Sequence, residues 1–228
     1  MIHDLIKERL KKLEALKKAG FDVFPARVGR THAIGEVLEK FSDFLKNRDQ
    51  VSVAGRIFGL RVQGGLIFAD LKDGSAGIQL VIKKDNFKDF EVFRDNLDIG
   101  DFLEAAGPVF KTKKGEKSIG VSSLKFLVKS LRPIPSEHFG IEDIETRLRK
   151  RYLDLLVNAG VKEMFLKKAV FWETIRSFLK SDGFLEAATP VLESVPGGAD
   201  AEPFVTHHNA LDRDFYLRIS LELPLKRL

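Results

Sequence analysis

At 228 residues, with 44% apolar and 31% charged side chains, the chain can hold one large or two small domains of ordinary soluble composition. The absence of cysteine excludes disulfides and thiolate metal sites. A formal net charge of +5 is compatible with an anionic partner such as RNA, and equally with a solvated basic surface.

No apolar run reaches the roughly 18 residues of a membrane span. The N-terminus is amphipathic and charged, unlike a signal peptide, so a cytoplasmic protein without a membrane partner is expected. Residues 2–19 carry Ile2, Ile6, Leu10, Leu13 and Leu16 on one stripe, which predicts a helix closed by Gly20. Lys7, Lys11 and Lys18 occupy another face, suited to phosphates or simply to water. A second helix is predicted over 34–46, with Ile34, Val37, Leu38, Phe41 and Leu45 on its core side.

From Val51 the apolar period changes to two. Strands are predicted over 51–58, 66–71, 78–82, 102–110 and 118–128, with a helix over 87–96. Gly64-Gly65 and Asp73-Gly74 mark turns. Five strands with a helix after the third is the order of an OB-fold β-barrel, whose second and third strands face oligonucleotides. On that face Phe68 is a candidate stacking platform, Arg61 a planar fork and Gln79 a two-way hydrogen-bonding group. The alternatives are a core Phe68 and an ordinary surface Arg61 and Gln79.

Arg132-Pro133-Ile134-Pro135 keeps the chain extended and marks a boundary. A charged helix is predicted over 141–158, with Leu148, Tyr152, Leu155 and Leu156 as its apolar side and Arg147, Arg149, Lys150 and Arg151 as a basic cluster. A long helix follows over 161–181. Its apolar stripe includes Val161, Phe165, Ala169 and Trp172, and is wider than one surface contact requires. Beyond it lie GFLEAATP, with Pro190, a Gly197-Gly198 loop, and two short strand-like runs around Asp212-Arg213-Asp214 that read as a hairpin. His207 and His208 are neighbours on one of these runs and point to opposite faces, which argues against a shared metal.

GFLEAATP followed by PGGADAEPFVTHHNALDRDFYLRISLELPLKRL resembles the class II lysyl-tRNA synthetases. The resemblance implies an α+β architecture. A helical arm (1–48) and a five-stranded OB-fold anticodon-binding domain (49–130) lead through a linker (131–140) into the start of an antiparallel class II catalytic domain (141–228). It implies that Arg61, Phe68 and Gln79 contact the central anticodon uridine, and that Gly198 and Glu222 contact lysine. It also implies that the long helix, motif 1, forms a homodimer interface including Phe165, Trp172 and Pro190. In the family, ATP and Mg²⁺ serve the ligation of lysine to tRNA(Lys). The segments that grip them, motifs 2 and 3, are not found in this sequence. No catalytic or metal-ligating residue is therefore assigned within it, and no adenylate is expected from this chain alone. An alternative is a non-catalytic tRNA-binding paralogue, distinguished by whether the source reading frame continues past Leu228. Two departures stand out. Ala187-Ala188 replaces a usual Val-Glu, and Leu221 and Pro224 stand where the family has Pro and Tyr, so the short helix around Glu222 is expected to start late or to be distorted.

Overall fold

The computed structural model describes residues 2–135 and 141–228. The linker expected at 131–140 therefore lies partly outside the described residues. The chain forms two compact units, dividing between Val157 and Asn158.

The first unit opens with α1 (Ile2–Lys18). Gly20 adopts a φ of 87°, and the Phe21 and Gly20 amides donate back to the Leu16 and Lys17 carbonyls at 3.1 and 3.0 Å. This left-handed stop is available to glycine at no steric cost. Only Leu13 and Leu16 of the predicted stripe are buried, whereas Ile2 and Leu10 remain exposed. The second predicted helix is two, α2 (Ile34–Glu39) and α3 (Phe41–Asn47), which break at Lys40. The break rotates the later face, so Phe44 rather than Leu45 packs against the core.

The strands close into a ring. β1 (Gln50–Gln63) pairs antiparallel with β2 (Leu66–Lys72) and with β4 (Phe102–Lys111). β2 pairs antiparallel with β3 (Gly77–Lys83), and β3 runs parallel to β5 (Lys117–Gly120), which returns to β4. Alternation sets the inside: Ile67, Ala69 and Leu71 of β2, with Ile78, Leu80 and Ile82 of β3, are buried. The short helix α4 (Phe90–Asn96) adds Phe93, whose ring meets Phe21 and Phe87 edge-on at 5.0 and 5.4 Å. The fifth predicted strand is divided into β5 and β6 (Ser123–Val128). The division falls where the chain changes partner. The Val121 amide donates to Val81 of β3, and the Ser122 amide to Ala106 of β4.

One turn holds the helical arm to the ring. Asp73 accepts from the Ile34 amide at 2.9 Å, the Ser75 amide and hydroxyl at 2.7 and 2.6 Å, and the Ala76 amide at 3.0 Å. Partial burial opposes ionisation of Asp73, but these hydrogen bonds outweigh it and hold the carboxyl below its usual range. A depressed folded pKa stabilises above the ordinary carboxylate range and loses that effect as pH falls through the folded value. Asp73→Ala should therefore lower the unfolding free energy by about 1–2 kcal/mol at neutral pH. The gap to the parent should close below about pH 4 when unfolding is followed against pH. A gap that ignored pH would contradict this account of the turn.

The charged helix expected over 141–158 is instead α5 (Ile144–Arg149) and α6 (Arg151–Val157), separated at Lys150. Its anticipated apolar side is wrong: Leu148, Tyr152 and Leu155 are exposed, and the buried residue is Asp154. The reason is electrostatic. Arg147 bonds Asp154 at 2.8 Å and Arg151 bonds its other oxygen, so two arginines of the basic cluster accompany a buried carboxylate.

The second unit contains α7 (Ala159–Ser181) and a three-stranded sheet in the order β7 (Leu192–Glu193), β9 (Arg213–Leu217), β8 (Val205–His208). The β8–β9 hairpin pairs His207 with Asp214, whose side chains meet at 2.9 Å. Met164, Phe165, Phe171, Trp172 and Phe178 on α7 are exposed. No helix among those residues is long and apolar enough to cross a membrane.

Candidate nucleic-acid interface

Period two places Phe68 on the outer face of β2, opposite Ile67 and Ala69. It is half-buried, not sealed into the core. The β1–β2 register sets Arg61 directly across from Phe68, and the β2–β3 register sets Gln79 across from Asp70, two positions along the same face. A groove of about 340 Å³ is lined by Arg61, Phe68 and Gln79 together with Thr112, Lys113 and Lys114.

The chemistry of this groove suits an unpaired nucleotide. The Phe68 ring offers a flat apolar surface. Arg61 lies 3.8 Å from Asp70, but both are largely exposed, so the pair is weak and the guanidinium remains able to exchange partners. Lys113 and Lys114 are exposed on the β4–β5 turn and add positive charge at the rim. Strand periodicity does not single them out. The signal was the run Lys111-Thr112-Lys113-Lys114-Gly115-Glu116-Lys117, which concentrates four lysines at one turn.

In the second unit the expected lysine-contact residues are neighbours. Gly198 has a φ of 86°, and a Cβ built there would stand 3.1 Å from Ser220 and 3.3 Å from the Glu222 side chain. Any other residue would meet both steric crowding and an unfavourable backbone angle. Glu222 begins a four-residue helix, α8 (Glu222–Leu225), and its carboxylate accepts from Lys226 at 2.6 Å. The Ser220 hydroxyl accepts from the Glu222 amide, but Leu221 occupies the capping position, so the helix starts one residue later than a Ser220 cap would give. Pro224 then sits in the first turn, where a missing amide hydrogen costs no internal bond.

Pro190 is anchored through its backbone. Arg218 donates to the Thr189 carbonyl and hydroxyl at 2.8 and 2.7 Å and to the Pro190 carbonyl at 3.2 Å. Phe165 and Trp172 lie elsewhere, on the exposed stripe of α7.

Comparison with known proteins assigns both parts. Residues 51–127 match an OB-fold nucleic acid binding domain, and residues 143–228 match the class II tRNA synthetases described as D, K and N. The whole chain is 48% identical to a lysine–tRNA ligase of Roseiflexus castenholzii, covering 47% of that protein. Over 99% of the chain it is 45% identical to the lysine–tRNA ligase of Moorella thermoacetica, covering 46% of it. Identity to the lysine–tRNA ligase of Bacillus subtilis is 41% over the whole chain, covering 47% of that enzyme. The chain thus spans about half the length of the curated relatives it matches.

Proposed function

We infer the role of this chain from one premise: it belongs to the class II lysyl-tRNA synthetase family, and carries an OB-fold domain and the start of a class II synthetase domain. In our reading the ring takes the anticodon loop of tRNA(Lys), with the central uridine stacked on Phe68 and bonded by Arg61 and Gln79. Gly198 and Glu222 belong to a lysine pocket, where Glu222 exchanges Lys226 for the substrate ammonium. Phe165, Trp172 and Pro190 belong to a homodimer interface. The arm (1–48), anticodon domain (49–130), linker (131–140) and class II segment (141–228) are the functional divisions.

The complete activity in this reading is ATP- and Mg²⁺-dependent attachment of lysine to tRNA in the cytoplasm. Within the chain the supported step is binding. Among the described residues no group of three acidic, His or Cys side chains is placed to hold a metal ion.

The convergence of Arg61, Phe68 and Gln79 on one lysine-rimmed groove carries the reading. It is tested by titrating the chain with a lysine-anticodon stem–loop over a range of salt concentrations. Binding should weaken with salt. Lys113→Ala with Lys114→Ala should lower the log–log slope by about 0.7 for each phosphate that is no longer neutralised. An unchanged slope would remove both lysines from the interface, and a stem–loop that does not bind would refute the reading.

A further inference from the structure

Asp70 is the residue that Arg61, Phe68 and Gln79 share as a neighbour. It follows Phe68 by two positions on the outer face of β2 and stands directly across from Gln79 on β3. Its carboxylate lies 3.8 Å from the Arg61 guanidinium on β1. On its other side is Gly59, which a register shift at Phe58 brings opposite Asp70. A Cβ built on Gly59 would overlap Asp70 Oδ2 and stand 3.0 Å from Asp70 Cγ. The carboxylate therefore fills the place that a side chain at position 59 would take. Gly59 is not among the glycines with positive φ, so its backbone would accept alanine and only the carboxylate stands in the way.

A negative charge at this point bears on what can lie against the strands. A guanidinium bonds a phosphate at least as well as a base edge, and an RNA loop brings both to the groove. With Arg61, Lys113 and Lys114 alone, a phosphate drawn onto Arg61 would compete with a base for the surface at Phe68. Asp70 opposes the phosphate by like-charge repulsion and leaves an uncharged base edge unopposed. This does not require a strong Arg61–Asp70 pair; it requires a carboxylate at that place, and the missing side chain at Gly59 gives it the room. The groove is also lined by Glu116, but that side chain belongs to the β4–β5 turn, beside Lys113 and Lys114, and not to the strands beneath the base.

We propose that Asp70 is a specificity-determining residue: seated over Gly59, it keeps phosphates off the strands between Arg61 and Gln79 and so reserves that surface for a base. This rests on the reading of the groove given above. The experiment measures affinity for two stem–loops that differ only at the central anticodon position, which carries uridine in one and an abasic residue in the other. The parent chain should prefer the uridine loop by about 5- to 150-fold, the worth of one stacked base. Asp70→Asn keeps the shape and removes the charge. It should raise affinity for the abasic loop by up to about 5-fold, the weight of two unit charges about 4 Å apart in water, and leave the uridine loop nearly unchanged. The ratio narrows by that factor, and the log–log salt slope for the abasic loop steepens by about 0.7 for one more neutralised phosphate. Gly59→Ala keeps the charge but displaces it, and should narrow the ratio in the same direction with little change in thermal unfolding. A ratio unchanged in Asp70→Asn, including one in which both loops gain equally, would overturn the role of Asp70 while leaving the groove intact. A ratio that narrows in Asp70→Asn but not in Gly59→Ala would overturn the seat over Gly59. A parent chain that binds both loops equally, or neither, would overturn the groove reading and this inference together.

Discussion

Lys129→Met is expected to cost about 3–5 kcal/mol of unfolding free energy, the usual effect of removing one partner from a buried ion pair. The Lys129 ammonium is fully buried between Asp98 at 2.5 Å and Asp101 at 2.8 Å, and donates to the Asn96 carbonyl at 2.7 Å. Asp101 also accepts from the Ser130 and Asp98 amides. Methionine fills the space but leaves two carboxylates without their shared cation. Burial pushes the Asp101 carboxyl up even with Lys129 beside it. Burial also works against Asp98, but Lys12 and Lys129 outweigh it and hold that carboxyl below its ordinary range. Without Lys129 both carboxyls should shift toward the protonated form in the folded state, Asp101 the more, because Asp98 keeps Lys12. The penalty should therefore be largest near neutral pH and shrink in acid.

The cluster also fastens the arm. Lys12 of α1 bonds Asp98 at 2.7 Å, and Arg9 donates to the Ser130, Ile99 and Arg132 carbonyls. Trp172, the sole tryptophan, lies in the second unit. Hydrogen exchange of the ring-core amides is the suitable probe. Adding Asp101→Asn to Lys129→Met should recover part of the stability, because one orphaned charge is then gone. Additive penalties would mean that the two groups do not depend on each other.

Phe68→Ala is expected to weaken binding of the anticodon stem–loop by about 1–3 kcal/mol, or roughly 5- to 150-fold. Stability should change little. The ring stands on the outer face of β2, and the core beneath is closed by Ile67, Ala69 and Leu71. Phe68→Tyr keeps a stacking surface and should retain most of the affinity. A tyrosine variant as weak as the alanine variant would point to a packing defect instead of a missing stacking platform.

Much of the first unit is legible in sequence because its ring depends on simple alternation. Val51, Val53 and Ile57, and then Ile67, Ala69 and Leu71, face inward as their spacing requires. The candidate base-reading residues are legible for the same reason: Phe68 and Gln79 occupy the opposite parity, and Arg61 is brought beside them by the turn at Gly64-Gly65. What stayed hidden depends on partners distant in sequence. Lys129 reads as an ordinary surface lysine until the fold places Asp98 and Asp101 around it. Asp154 reads as the polar side of a helix until Arg147 and Arg151 enclose it. The broad stripe on α7 was legible, but which surface covers it is not a local property of the helix.

The claim that the groove of Arg61, Phe68 and Gln79 receives an unpaired base is met most directly by residue-level mapping. Amide and side-chain resonances of the labelled chain would be followed as the stem–loop is added. The expected result is a continuous set of shifts over Arg61, Phe68, Gln79 and the turn from Thr112 to Glu116, with the Phe68 ring protons moved upfield by the stacked base. Shifts confined to α1 or to the far side of the ring, with the Phe68 ring unmoved at saturation, would contradict the claim.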